Sequence, residues 1–561
     1  MEGREAEEGS LTFAVNGERF ELPSIDPSTT LLEFLRSQTR YKSVKLGCGE
    51  GGCGACVVLL SKYDHVHDQV YDYTVSSCLT LLCSINGCSI TTTEGLGNCK
   101  DGFHPIHERF AGFHASQCGF CTPGMCVSLF SALVNAEKTD CPRPPLGFSK
   151  LTVSEAEKAV VGNLCRCTGY RSIADACKSF AANVDIEDLG LNFFWKNEDS
   201  KEVKLTRLPS YDPNHQFHTF PEFLKKGIKL GMILNRRIYS WYSPTSLEEL
   251  QCLLESFENE KGIRVKLVVS NTGTGYYKEL EKYDKYIDLR YIPELTGIKR
   301  DHTSIQIGAG VTITKTIESL REDSSDTFKE QHKTVLSKIA NHLEKIASGF
   351  IRNSASLGGN LVMAQRNRFP SDIATILIAL DSTVDVIISY RRETIKLEKF
   401  LEMPAFDSKS ILVNAKIPLW KPTCNASSRK NCKIMFETYR ASPRPLGNAL
   451  SYLNAAFFAE LSPCKTSDCI TVNSIHLAFG AYGSKHATRA RNAEEFLVGR
   501  TLDHDVLYET IKLVRATVVP EDGVSSSSYR SSLAVAFLFE FLHPLIKTGA
   551  EIANGGLNWL Y

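Results

Sequence analysis

Eight of the nineteen cysteines in this 561-residue chain fall into two sets of four, and that spacing constrains the fold more than any other feature. The first set is Cys48-x4-Cys53-x2-Cys56, completed by Cys78 after 21 intervening residues. The second pairs Cys118-x2-Cys121 with Cys165-x-Cys167. A [2Fe–2S] centre takes four thiolates. A chain that devotes eight cysteines to such spacing is expected to move electrons singly.

The first spacing follows the plant-type ferredoxin pattern. The loop from Gly47 to Cys56 carries five glycines among ten residues. Wrapping backbone round a cluster needs positive φ angles and close N–H approach to sulfur, which glycine allows. A zinc knuckle is the competing reading, and Cys78 weighs against it. For the second set zinc competes more evenly, because paired cysteines also build four-cysteine zinc sites. His104, His107 and His114 lie nearby but read as ordinary loop histidines, since four cysteines are already at hand.

Charge narrows the function classes. Lys+Arg and Asp+Glu both number 64, so no global positive field exists to hold nucleic acid or acidic membrane. The N-terminus is acidic and carries no signal peptide pattern. The apolar run Leu533 to Phe539 is too short to span a bilayer. A cytoplasmic protein is expected, and a reducing compartment favours metal or redox roles for clustered cysteines. The other eleven cysteines read as plain core or surface residues.

Local patterns supply the elements. Thr12 to Val15, Asn16-Gly17 and Glu18 to Leu22 predict a hairpin with a type I′ turn. Thr30 caps a short helix whose Leu31, Leu32 and Leu35 share a face. Val57 to Leu60 reads as a strand, and Asn86-Gly87 as a second hairpin turn. Beyond ~100 the pattern becomes helical. Thr122 is an N-cap before Pro123, Thr152-x-x-Glu155 is a capping box, and a third helix follows Gly169. The stretch Asp140 to Pro145 reads as a surface insertion, and ~190 to 235 as a patternless linker over the surface. From Ser243 strands and helices alternate. Lys266 to Val269 forms a strand ending in a small-residue loop able to cradle a pyrophosphate. No helix is expected to open directly from that loop, and the dinucleotide fingerprint is missing. A second glycine loop, Asn353 to Asn360, and Asp372 add to it.

These four elements, in this order, resemble the N-terminal half of the molybdenum hydroxylases, the xanthine dehydrogenase and aldehyde oxidase family. The run Phe436 to Leu450 is most similar to plant aldehyde oxidases of the indole-acetaldehyde and abscisic-aldehyde types. The resemblance implies a multidomain α+β fold: a β-grasp 2Fe–2S ferredoxin domain (10–98), a helical 2Fe–2S bundle domain (99–188) and a linker (189–235). A vanillyl-alcohol-oxidase-type FAD domain (236–422) with an α/β C-terminal subdomain (423–546) would follow, then a divergent tail (547–561). It implies that Cys48, Cys53, Cys56 and Cys78 hold the cluster nearer the flavin. Cys118, Cys121, Cys165 and Cys167 would hold the one nearer molybdenum, with Gln117 touching the molybdopterin. Leu267, Val268, Val269, Ser270, Asn271, Thr272, Gly273, Thr274, Ser356, Gly358, Gly359, Asn360 and Asp372 would hold FAD.

By the same resemblance, the two clusters and FAD pass electrons to O2 in an oxidoreductase tied to plant hormone biosynthesis. Ser270 stands where a glycine is usual, which would narrow the phosphate cradle. Arg440 to Gly447 has no lysine and no acid, which argues against reduction of NAD. After ~545 the chain leaves the family pattern, and the molybdopterin and substrate region is expected to be missing. Aldehyde oxidation by this chain alone is therefore not expected, and no catalytic residue is assigned. Two other readings stand beside this one. One is a flavin and iron–sulfur protein oxidising NADH, the other a truncated non-catalytic product docking on full-length subunits of the family homodimer.

Overall fold

The computed structural model describes residues 10–546 apart from 101, 191–206, 215–218, 227–232, 237–238, 259, 261, 279–282, 323–329, 408, 420–431, 445, 448, 464–468, 484–485 and 521–525. The expected tail 547–561 and much of the expected linker lie outside the described residues. The chain divides into two compact units. One comprises Met1–Ile292, Ala347–Ala355 and Leu446–Asn448, the other Pro293–Ile346, Ser356–Pro445 and Ala449–Tyr561.

The first unit begins with β1 (Leu11–Val15) and β2 (Glu18–Leu22), joined where Asn16 and Gly17 both take positive φ. That pair of angles is what a type I′ turn demands, and it sets Val15 opposite Glu18. Thr30 caps α1 (Leu31–Gln38) in a full capping box with Glu33. With β3 (Val57–Asp64), β4 (Gln69–Ser76) and β5 (Cys88–Thr91), the sheet order is β2-β1-β5-β3-β4. The β1–β5 pair is parallel and the remaining pairs are antiparallel, the β-grasp arrangement expected. Asn86-Gly87 does not close a hairpin. Only Gly87 has positive φ there, giving a type II turn that links the 3-10 turn Leu82–Ile85 to β5.

β3 explains how this sheet meets the next layer. Successive side chains of a strand face opposite sides. Val58 and Leu60 join the core under α1, while Val57 and Leu59 join the core of the helical layer. That layer holds α2 (Pro105–Gly112), α3 (Thr122–Glu137), α4 (Val153–Lys158) and α5 (Arg171–Lys178). Thr152 and Glu155 form the expected capping box. Thr122 is not the cap of α3: Cys121 takes that place, and the Thr122 hydroxyl bonds Ser116 at 2.8 Å. Part of the expected linker is buried. Leu208 and Tyr211 lie in the helical core, and the buried Arg109 guanidinium donates to the carbonyls of Pro209, Ser179 and Gly147.

A four-stranded sheet completes this unit, in the order Val265–Val268, Lys285–Asp288, Tyr239–Tyr242, Ile233–Arg236. Its Val268, Tyr286 and Trp241 reach the same core as α1. A five-residue helix, Gly273–Tyr277, does open from the loop after Val268, contrary to expectation. It forms because Thr272 already has helical φ and ψ, without any side-chain cap.

The second unit carries two antiparallel sheets, one of five strands and one of four. The long strand Leu453–Pro463 is buried along most of its length. Its core side chains pack with those of the helices His504–Thr517 and Ser527–Leu542. Cys432, read from sequence as a plain residue, is disulfide-bonded. Among the described residues no helix is long and apolar enough to cross a membrane.

Candidate iron–sulfur and flavin sites

The loop between α1 and β3 and the turn after β4 bring the first four cysteines together as two thiol pairs. Gly49, Gly51 and Gly54 all take φ near +70°, which turns the backbone inward, and the Glu50 amide donates to Cys48 Sγ at 3.3 Å. Cys48 is hydrogen-bonded by Cys53, and this, with further backbone amides, holds its thiol down at about 5 against the opposing effect of burial. Cys56 is held down to about 7 by the Cys78 thiol and by Ser76, again against burial. Cys53 is pushed up by Cys48 and by burial, and Cys78 by Cys56 and by burial.

The second quartet repeats the arrangement at two loop-to-helix junctions. Cys118 and Cys121 lie just before α3, and Cys165 and Cys167 just before α5. Cys167 Sγ lies 3.5 Å from Cys118 Sγ. The Phe120 amide and the Cys167 thiol hold Cys118 down. Cys121 is pushed up to about 12 by burial and by Cys165. Cys165 also bonds the Thr168 hydroxyl at 3.2 Å.

Among the described residues no three His, Cys, Asp or Glu side chains meet as a site for one metal ion. Two thiol pairs per quartet suit a two-iron centre, in which each iron takes two thiolates. Metal binding would displace the protons that these paired thiols carry. The donor set fits a [2Fe–2S] group in both places. Two of the three nearby histidines are occupied elsewhere: His104 caps α2 and His107 bonds Thr93.

The two cysteine loops interlock. The Leu164 amide donates to the Cys53 carbonyl at 2.8 Å, and Leu164 precedes Cys165. Asn163, 1% exposed, donates to the Gly54 carbonyl at 3.0 Å and accepts from Ser128 at 3.0 Å. Sequence reasoning missed both residues. Their only signal was adjacency to a cysteine motif. The outer face differs from this seam: Gln117, Cys118 and Cys167 are exposed, among exposed Phe120, Leu164 and Tyr170.

The expected flavin residues fall into both compact units, and each group stands on its own. In the first unit, Leu267 and Val268 end a strand, and Val269 and Ser270 lead through Asn271 and Thr272 to Gly273 and Thr274 in the short helix. Ser270 Oγ lies 3.2 Å from the Thr272 hydroxyl. Asn271 has φ of 70°, donates to the Leu79 carbonyl at 3.2 Å and accepts from Thr274 at 2.6 Å.

In the second unit, Ser356 caps the helix Leu357–Asn367 by accepting from the Gly359 amide at 3.0 Å. The Gly358 amide donates to the Ala309 carbonyl at 2.9 Å. Asn360 accepts from Ser371, which caps the helix beginning at Asp372, so this loop and Asp372 come together. Buried Asp372 faces His342 at 3.1 Å, the Ser451 hydroxyl at 3.1 Å and the Arg440 Nε at 3.3 Å. The Arg440 contact is an ion pair without hydrogen-bond alignment. Burial alone would raise the Asp372 carboxyl, but His342, Arg440 and Ser451 outweigh it and hold it below the ordinary carboxylate range.

Four family models match the chain. They are described as a 2Fe-2S iron-sulfur cluster binding domain over 13–83, a [2Fe-2S] binding domain over 92–178, an FAD binding domain in molybdopterin dehydrogenase over 236–420 and a CO dehydrogenase flavoprotein C-terminal domain over 437–545. Among curated relatives, the chain is 57% identical to an indole-3-acetaldehyde oxidase of Arabidopsis thaliana, over 100% of this chain and 40% of that one. It is 54% identical to the abscisic-aldehyde oxidase of the same plant, over 97% of this chain and 40% of that one. It is 52% identical to probable aldehyde oxidase 4 of Oryza sativa subsp. japonica, over 96% of this chain and 64% of that one. The chain therefore spans about 40% of the length of the first two relatives.

Proposed function

The chain belongs to the plant aldehyde oxidase family, of which it spans the two 2Fe–2S-binding domains and the FAD-binding domain, and from that premise we propose that it is the electron-transfer portion of an aldehyde-oxidase-type oxidoreductase with O2 as acceptor. The observation that carries this reading is the pair of interlocked cysteine quartets, joined by the Leu164 amide on the Cys53 carbonyl. Cys48, Cys53, Cys56 and Cys78 would hold one cluster, and Cys118, Cys121, Cys165 and Cys167 the other. When bound, these groups supply one-electron steps and FAD collects electrons in pairs.

The chain's own residues position rather than react. Asn163 and Leu164 hold the two cysteine loops in fixed register. Asn271 pins the first flavin loop to the backbone beside Cys78. His342, Arg440 and Ser451 keep Asp372 ionised and oriented in the second unit. The segment Arg440 to Gly447 has no lysine and no acid, which supports O2 rather than a nicotinamide as the acceptor.

Aldehyde chemistry would fall to sequence outside the region in hand. The exposed Cys118, Gln117, Phe120 and Tyr170 favour docking of the second quartet against the aldehyde-oxidising region of a longer relative. Anaerobic addition of an aldehyde to the reconstituted chain is expected to leave the cluster and flavin absorbance unchanged. Dithionite is expected to bleach both, and O2 to restore them. Bleaching by aldehyde, or no recovery in O2, would refute the respective assignment.

A further inference from the structure

One side chain in the first unit touches both the first cysteine loop and the first flavin loop. Leu79 follows Cys78 directly and is 3% exposed. Its Cδ1 lies 2.9 Å from where a Cβ on Gly51 would stand, and Gly51 sits between Cys48 and Cys53. Its Cδ2 lies 3.0 Å from where a Cβ on Gly275 would stand, in the short helix after the flavin loop. A Cβ there would also come within 3.0 Å of the Glu50 backbone. The Leu79 carbonyl accepts from Asn271, whose own side-chain oxygen is held by Thr274. Lys278 pairs with Glu50 at 3.0 Å across the same seam.

We propose that Leu79 is a positioning residue that fixes the separation between the Cys78 side of the first cluster site and the flavin loop, and so sets the rate of one-electron exchange between them. This rests on the electron-transfer reading given above. Two glycines admit the two methyls, one on each side, and close-packed interiors transmit small displacements rather than absorb them. Electron tunnelling falls steeply with distance, so a seam held this closely controls rate through geometry alone. The transfer takes one electron from a reduced iron–sulfur centre to an oxidised flavin and makes or breaks no bond in the chain.

The test uses the whole chain loaded with both clusters and FAD. Flash-photolysed deazaflavin injects one electron, and its redistribution between iron–sulfur and flavin absorbance is followed in time. Gly275→Ala is expected to slow that redistribution by about two- to threefold, since its Cβ would ask packed neighbours to give by a few tenths of an ångström and close packing passes that displacement on. FAD content and the paramagnetic resonance spectrum of the first centre should stay as in the unmodified chain. Leu79→Met conserves volume and is expected to leave the rate unchanged. Where Gly275→Ala releases flavin, Leu79→Ala carries the same readout, because it removes both methyls and inserts nothing. An unchanged rate in Gly275→Ala or Leu79→Ala, with cofactors retained, would overturn the role of Leu79. An unmodified, fully loaded chain that shows no intramolecular phase would overturn the electron-transfer reading as well.

Discussion

The two cysteine quartets share a plan of paired thiols and differ in what surrounds them. The first is folded inward: Cys56 is 2% exposed, Leu79 seals one side, and Glu94 ties the incoming loop by accepting from the Ser43 amide at 2.7 Å. The second faces outward, with Cys118 and Cys167 exposed among apolar side chains. The same donor set can thus serve as an internal relay or as a terminal facing a partner. Which of these it becomes depends on neighbours that no cysteine spacing encodes.

Cysteine replacement should separate the two sites most sharply. Cys53→Ser is expected to abolish one paramagnetic resonance signal and Cys167→Ser the other, each variant keeping about half the bound iron, as expected of four-thiolate centres. Loss of both signals in Cys167→Ser would show that the quartets are not independent sites. In the unloaded chain, iodoacetamide mapped by mass spectrometry should label Cys118 and Cys167 well before Cys56. In the loaded chain, a chelator should strip the outward centre first. Equal rates would contradict the inward and outward distinction.

Smaller effects test the seam between them. A Cβ on Gly124 would lie 2.2 Å from the Gly54 carbonyl oxygen, so Gly124→Ala is expected to cost about 1–3 kcal/mol in denaturant unfolding. Thr152→Ala removes the capping box of α4 and should cost about 0.5–2 kcal/mol. Glu94 supplies the pH dependence. Burial opposes its ionisation, but the bonds from Ser43 and Thr92 outweigh that and hold its carboxyl below the ordinary value of 4.5. A depressed carboxyl contributes stability that is full above the unfolded value and is lost as pH falls through the folded one. Acid unfolding of the ferredoxin-like domain should therefore steepen below about pH 4.5. Glu94→Gln should flatten that limb, and an unchanged acid limb in Glu94→Gln would rule the anchor out.

Features governed by a few adjacent residues were legible in the sequence. Asn16-Gly17 specifies its turn because both residues tolerate positive φ, and Thr30 and Thr152 specify helix starts through reciprocal side-chain bonds. Spacing alone grouped the eight cysteines. What depended on distant partners was not legible. Asn86-Gly87 looks like a hairpin turn, yet β5 pairs with β1 and β3 instead. The stretch read as linker hides Leu208 and Tyr211, held by an arginine about a hundred residues earlier in the chain. Within each quartet, the sorting into 48 with 53, 56 with 78, 118 with 167 and 121 with 165 is a tertiary outcome. So is the reach of Asn271 to Leu79, 192 residues away.

The most direct test of the account is the low-temperature paramagnetic resonance spectrum of the dithionite-reduced, iron-loaded chain, with metal analysis on the same sample. Two distinct [2Fe–2S] signals, accompanied by iron and little zinc, are predicted, since two quartets in unlike surroundings should not give one spectrum. A silent spectrum with zinc bound in place of iron would contradict it.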